Sequence, residues 1–204
     1  MANDNTPFGL AVVRGGSSYA GNQQTSLYAV AAAEGNAMYM GDTVKAAASG
    51  DTNGVPNVTK ITNGTDAIRG VIVGIAPTLI GAQSIQGTAL SLETNYIPAT
   101  HGRIWYVLVE DDPTTVFMMQ DDGITTANLV AASCNLNFNY TVTAGSTTNS
   151  SSGSVILSSS FATTNTFSMK AMGLAQLPGN AYGAYAKWLC RINVSELTGS
   201  FAGV

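Results

Sequence analysis

Cys134-Asn135-Leu136-Asn137-Phe138-Asn139-Tyr140-Thr141-Val142-Thr143 is the stretch whose reading decides the fold. Apolar and aromatic side chains occupy every even position, and Asn or Thr every odd one. In an extended chain successive side chains point to opposite faces, so this spacing sorts the run into one greasy face and one uncharged polar face. In a helix the same residues would be spread around the whole circumference. The run predicts a half-buried β-strand.

The same logic recurs outward from it. Over residues 186–195, Trp188, Cys190, Ile192 and Val194 alternate with Lys187, Leu189, Arg191 and Asn193. Ile104-Trp105-Tyr106-Val107-Leu108-Val109 is a continuous β-branched and aromatic run, the pattern of a strand covered on both faces. Shorter strands are expected over residues 38–46, 69–75, 155–159 and 166–171. Asn53-Gly54, Asn63-Gly64 and Asp122-Gly123 supply turn chemistry between them.

Helix signals are sparse. Residues 27–34 have Ser26 as a candidate cap and Gly35 as a stop, but Tyr28 and Val30 fit a strand equally; residues 126–132 suit one helical turn. The expected class is all-β: a single β-sandwich or barrel-like domain, a jelly roll among the forms it could take, with an extended N-terminal arm. The arm covers residues 1–22, where Asn, Ser, Pro and Gly surround one apolar patch from Phe8 to Val13. Such a segment is suited to strand addition on a neighbouring chain, which makes Pro7, Phe8 and Leu10 the expected partner-binding residues. Residues 23–204 form the β-rich domain, with an exposed Ser/Thr-rich hairpin around residues 145–153. No shift in composition marks a second domain, and no repeat of fixed period stands out.

Composition narrows the function. Of 204 residues only 10% are charged and one, His101, is a histidine; globular domains average roughly a quarter charged residues. General acids and bases, metal cages and phosphate clamps all need clustered ionisable groups. A chain this poor in them is expected to serve as a surface, not as a catalyst. The net charge of −4 and isoelectric point near 4.7 speak against nucleic acid as a partner, because the eight basic residues are scattered singly along the sequence. The first residues lack the basic region and apolar core of a signal peptide, and the longest greasy stretch, residues 70–82, is interrupted by Pro77 and shorter than a membrane span. A soluble protein made in a cytoplasm, without membrane contact, is expected.

Candidate chemical sites are few. Glu110, Asp111 and Asp112 with Asp121 and Asp122 form the densest acidic cluster and could offer oxygens to Ca²⁺, although their spacing matches no calcium loop and the dipeptides Asp112-Pro113 and Asp122-Gly123 are ordinary turn formers. Solvated turns are the favoured expectation. His101 lies in a loop with neither a nucleophile elbow nor an activated cysteine nearby in sequence. Cys134 and Cys190 have no metal-ligand spacing and, lying on apolar faces, are expected as buried thiols. Trp105 and Trp188 read as core residues. No cofactor and no metal are expected.

Taken in order along nearly the whole chain, several stretches resemble a family of tailed-bacteriophage capsid decoration (cement) or structural head proteins. They are Thr6-Pro7-Phe8-Gly9-Leu10; Gly41-Asp42 with Gly54-Val55-Pro56; Gly70-Val71-Ile72-Val73-Gly74; Tyr106-Val107-Leu108-Val109-Glu110-Asp111-Asp112-Pro113 with Gln120-Asp121-Asp122-Gly123; and Gly173-Leu174 onward through Pro178 and Asn180 to Ala186-Lys187-Trp188-Leu189-Cys190-Arg191-Ile192-Asn193. Cys190, where a plain aliphatic would be expected, and the Ser/Thr-rich stretch after Gly145 depart from the pattern. The resemblance implies a non-enzymatic virion protein on the capsid exterior, bound to the major capsid protein and to copies of itself, commonly as a homotrimer. A head-fibre or receptor- and carbohydrate-binding β-module is the alternative, with Tyr182 and Tyr185 as its aromatic shelf.

Overall fold

The computed structural model describes residues 3–15, 25–76 and 95–198. Residues 16–22 of the anticipated arm and residues 77–82 of the apolar stretch lie outside the described residues.

The architecture is all-β, two five-stranded sheets packed as a sandwich, one of them closed into a barrel. The barrel is built from consecutive strands: β2 (Ser26–Val30), β3 (Thr43–Gly50), β4 (Pro56–Lys60), β5 (Gly70–Ala76) and β6 (Trp105–Glu110), ordered β2-β4-β3-β5-β6. All pairs, including β6 with β2 that closes the ring, are antiparallel except β2 with β4, which is parallel and joined at Ala29 and Asn57. The open sheet brings together β1 (Ala11–Arg14) and the later strands β7 (Val116–Gln120), β8 (Asn137–Phe138), β11 (Met169–Leu174) and β12 (Lys187–Ile192), in the order β1-β7-β12-β11-β8. A small third sheet pairs β9 (Tyr140–Thr141) with β10 (Val155–Ile156). The chain therefore completes the whole barrel between β1 and β7, in place of the strand-by-strand exchange between two sheets of a jelly roll.

Two cores result. The barrel interior holds Tyr28, Val30, Val44, Val58, Ile72, Trp105, Val107 and Val109. The second core lies between the open sheet and the outside of the barrel: Phe117, Met119, Trp188, Cys190, Met169 and Phe138 from the sheet meet Ile61, Ile68 and Val71. β6 is buried along both faces, as its continuous apolar run requires.

The run from Cys134 to Thr143 keeps its alternation but is not one strand. Asn135 takes a left-handed backbone (φ 68°), which stops extension at that end. Phe138 pairs with Met169 in the open sheet, whereas Tyr140 pairs with Ile156 in the small sheet. Asn139 marks the change of sheet: its N–H donates to Ser160 Oγ and its Oδ1 accepts the Ser168 N–H. Of residues 27–34 the first four belong to strand β2 and the rest form a turn, and residues 126–132 fall in two short 3-10 turns, Thr126–Asn128 and Ala131–Ser133. The hairpin around 145–153 closes at Ser146 and Ser151, with an exposed tip.

Candidate functional site

The N-terminal segment is where the structure corrects the sequence reading most. Over residues 3–14 it is fastened to its own domain. The Asn3 Nδ2 donates to the Ala181 and Ala184 carbonyls, each at 2.9 Å, and its Oδ1 accepts the Ala181 N–H. The buried Gln120 amide binds the next turn of chain, accepting the Thr6 N–H at 3.1 Å and donating to Asn5 Oδ1 at 3.0 Å. Gly9 then takes a φ of +69° where a Cβ would lie 2.5 Å from the Gly41 carbonyl oxygen, so only glycine passes. Leu10 donates its N–H to that same carbonyl and is 2% exposed, part of the core.

Residues 11–14 are an integral edge strand, not a free arm. β1 adds antiparallel to β7, with Ala11 opposite Met118 and Val12 opposite Phe117. Of the three expected partner-binding residues, Leu10 is spent on the chain's own core, while Pro7 and Phe8 are half-buried. Phe8 lines one end of an apolar groove of about 450 Å³ whose walls include Val12, Met40, Val73 and Met118. No charged side chain lines that groove among the described residues.

The acidic cluster is dispersed. Glu110 ends β6 and accepts the Thr115 hydroxyl at 2.8 Å; Asp111 accepts the Tyr28 hydroxyl at 2.7 Å; Asp112 holds the turn through the Thr114 N–H and hydroxyl. Asp121 and Asp122 sit beyond the other end of β7, whose five residues span roughly 17 Å. One cation cannot bridge that distance, and among the described residues no group of three or more His, Cys, Asp or Glu side chains is arranged to hold a metal.

Asp121 is instead a structural acid. Its Oδ1 accepts the Gly123 and Tyr185 N–H groups, both at 2.8 Å, while Oδ2 is buried without a partner. Burial pushes its carboxyl up to about 6; the Trp188 indole N–H lies near enough to favour the charged form but outside hydrogen-bond geometry. This acid holds Tyr185 in a left-handed backbone (φ 62°), a costly conformation for a bulky residue, with its ring against Gly123.

The other candidates have structural duties. His101 sets Nδ1 2.8 Å from the Pro98 carbonyl and Nε2 3.1 Å from the Ala31 carbonyl, which pins its loop onto the end of β2. Trp105 and Trp188 are core residues, as expected. Both cysteines are free thiols; Cys190 is fully buried, which drives its thiol pKa upward, but Cys134 is only half-buried, 3.7 Å from the Tyr182 hydroxyl. Tyr182 leans on Trp188 with ring centroids 5.6 Å apart, and Tyr185 covers Gly123, so the two tyrosines do separate packing jobs.

One feature escaped the sequence. Lys60 and Asp42, both buried, form an ion pair of 2.6 Å; Lys60 also donates to the Ala37 carbonyl, and Asp42 accepts the Tyr39 N–H. Lys60 also borders a pocket of about 280 Å³ between the barrel and Val142-Thr143-Ala144. Eighteen residues separate the two charges in sequence, which no local periodicity connects.

No family model, curated protein or solved structure matches the chain.

Proposed function

We propose that this chain is a non-enzymatic structural protein of a tailed-phage virion, which docks on the outer surface of an assembled capsid and ties coat subunits together. It would be made in the host cytoplasm, associate as a homotrimer, and take the major capsid protein as its principal partner. The sequence resemblance supports this reading, as does a surface kept soluble mainly by Ser, Thr and Asn. A component repeated at fixed spacing over a shell gains from weak charge, since like charges repel between copies.

The structural observation that carries the reading is the edge at β1. Among the described residues this strand is the last of its sheet and one side of its backbone has no ladder partner, and the apolar Phe8 groove runs alongside it. An extended segment of a coat subunit could add its backbone there and drop alternate side chains into the groove.

The test is to mix purified protein with shells lacking it and image them by electron cryomicroscopy. Density at regular lattice positions is the expected result; bare shells at micromolar protein would overturn the reading. Phe8→Asp should abolish that density with the fold intact. Deleting residues 1–14 would be the wrong probe, because it removes an edge strand and the core residue Leu10 together.

A further inference from the structure

The five strands of the open sheet contain four of the chain's eight basic residues, Arg14, Lys170, Lys187 and Arg191, and none of its twelve acidic ones. All four fall on one face. The core identifies the inner face through Phe117, Met119, Trp188, Cys190 and Met169; strand alternation then places Lys170, Lys187 and Arg191 on the outer face, and the bulge between Val12 and Arg14 brings Arg14 opposite Val116 on that same face. Register lines them up across the sheet: Asn137 pairs with Lys170, and Lys170 with Arg191. Two residues along β12 and on the same face, Leu189 pairs with Met118 and Met118 with Ala11, an apolar row beside the basic one.

This arrangement has a cost for the isolated protein. Lys170 and Arg191 stand directly opposite each other, and like charges in that position destabilise a sheet. The two ion pairs among the described residues, Lys45 with Asp66 and Lys60 with Asp42, are elsewhere, in the barrel and its loops. The Arg191 guanidinium is also held in place, with Nε donating to the Thr114 carbonyl at 2.9 Å, so it meets a partner with part of its ordering entropy already lost.

We infer that the outer face of the open sheet is a docking surface for an acidic protein surface, one presenting carboxylates around an apolar patch. Carboxylates would relieve the Lys170–Arg191 repulsion while the Leu189–Met118 row buries apolar area, the mixture of charge and grease typical of protein interfaces. Nucleic acid fits less well: it would meet only four cations, an apolar stripe where phosphates need donors, and a chain of net charge −4. The inference rests on the reading that this chain docks on other proteins, and within that reading it assigns the shell-facing side.

Immobilised poly-L-glutamate is the probe, with duplex DNA and anionic phosphatidylserine vesicles as counter-probes at equal charge concentration. The wild type should bind polyglutamate with an affinity that falls as salt rises, and K170Q/R191Q should bind about tenfold more weakly. K45Q, on the barrel, should match the wild type, and K170A/R191A repeats the test should the glutamine variant misfold. Equal binding by wild type and K170Q/R191Q, or tighter binding to DNA or vesicles than to polyglutamate, would overturn the inference. On undecorated shells, occupancy by wild type but not K170Q/R191Q supports it, while equal occupancy overturns the docking face and leaves decoration standing. Shells that refuse both proteins overturn decoration, and the polyglutamate result then decides the docking face alone.

Discussion

Thr43 and Tyr140, 97 residues apart in sequence, join their hydroxyls at 2.7 Å in the buried seam between the barrel and the open sheet. Thr43 begins β3 of the barrel, and Tyr140 belongs to the core under the open sheet. Burial drives the Tyr140 phenol pKa far upward, so the hydroxyl stays neutral. Tyr140→Phe should cost about 1–2 kcal/mol in urea denaturation, the price of one buried hydroxyl contact. Combined with Thr43→Val, the double variant should lose less than the sum of the two. Strict additivity would show that the seam is not held by this contact.

Removing one charge from the buried Lys60–Asp42 pair strands the other. Lys60→Met should destabilise the protein by about 3–5 kcal/mol, because the Asp42 carboxylate is then buried without its counter-ion. Asp42→Leu added to Lys60→Met should recover most of that loss, since no unpaired charge is left. A double variant as unstable as the single one would show that the cavity, not the charge, sets the cost.

The two Asn-Gly pairs should respond differently to alanine. Gly54 has a φ of +83° and open space around it, so Gly54→Ala should cost about 1 kcal/mol from backbone strain alone. Gly64 has no positive φ, but a Cβ there would sit 1.7 Å from the Tyr140 carbonyl oxygen. Backbone cannot yield as a side-chain tip can, so Gly64→Ala should cost at least about 3 kcal/mol or prevent folding. Melting temperatures of the two variants measured side by side decide the point; equal losses would refute the packing argument.

The acid Asp121 sets a pH dependence whose sign can be worked out. Its carboxyl is raised from an ordinary 3.8 to about 6 in the fold, so between those values the folded state keeps a proton that the unfolded chain has released. Stability from this group is therefore full below about pH 4 and falls as pH rises to 6, by on the order of 2 kcal/mol. Asp121→Asn keeps the oxygen that accepts the Gly123 and Tyr185 N–H groups and removes the charge. Its melting temperature should lack the wild-type decline between pH 4 and 6; parallel curves would show that Asp121 is not the source.

Much of the strand content is local information. Phe138 and Tyr140 alternate with Asn and Thr, Trp188 and Cys190 with Lys187 and Arg191, and these side chains face the core as their period dictates. Asn53-Gly54 and Asp122-Gly123 took the turn conformations their residues favour. The N-terminal patch was legible as a strand that would add to a sheet edge, but not whose edge. Asn3, Gln120 and Gly41, scattered over the chain, are what fasten it to β7, and no local window contains all three.

The sequence by itself determined the all-β class, the buried face of each major strand and the scarcity of ionisable chemistry, because these depend on side-chain period and composition alone. Tertiary structure alone decided that residues 134–143 serve two sheets, that the acids at 110–112 and 121–122 lie at opposite ends of β7, that Lys60 finds Asp42, and that Lys170 stands opposite Arg191. Register and sheet membership are settled by contacts between residues far apart in sequence. A period of two says which face a side chain takes, but not which strand lies next to it.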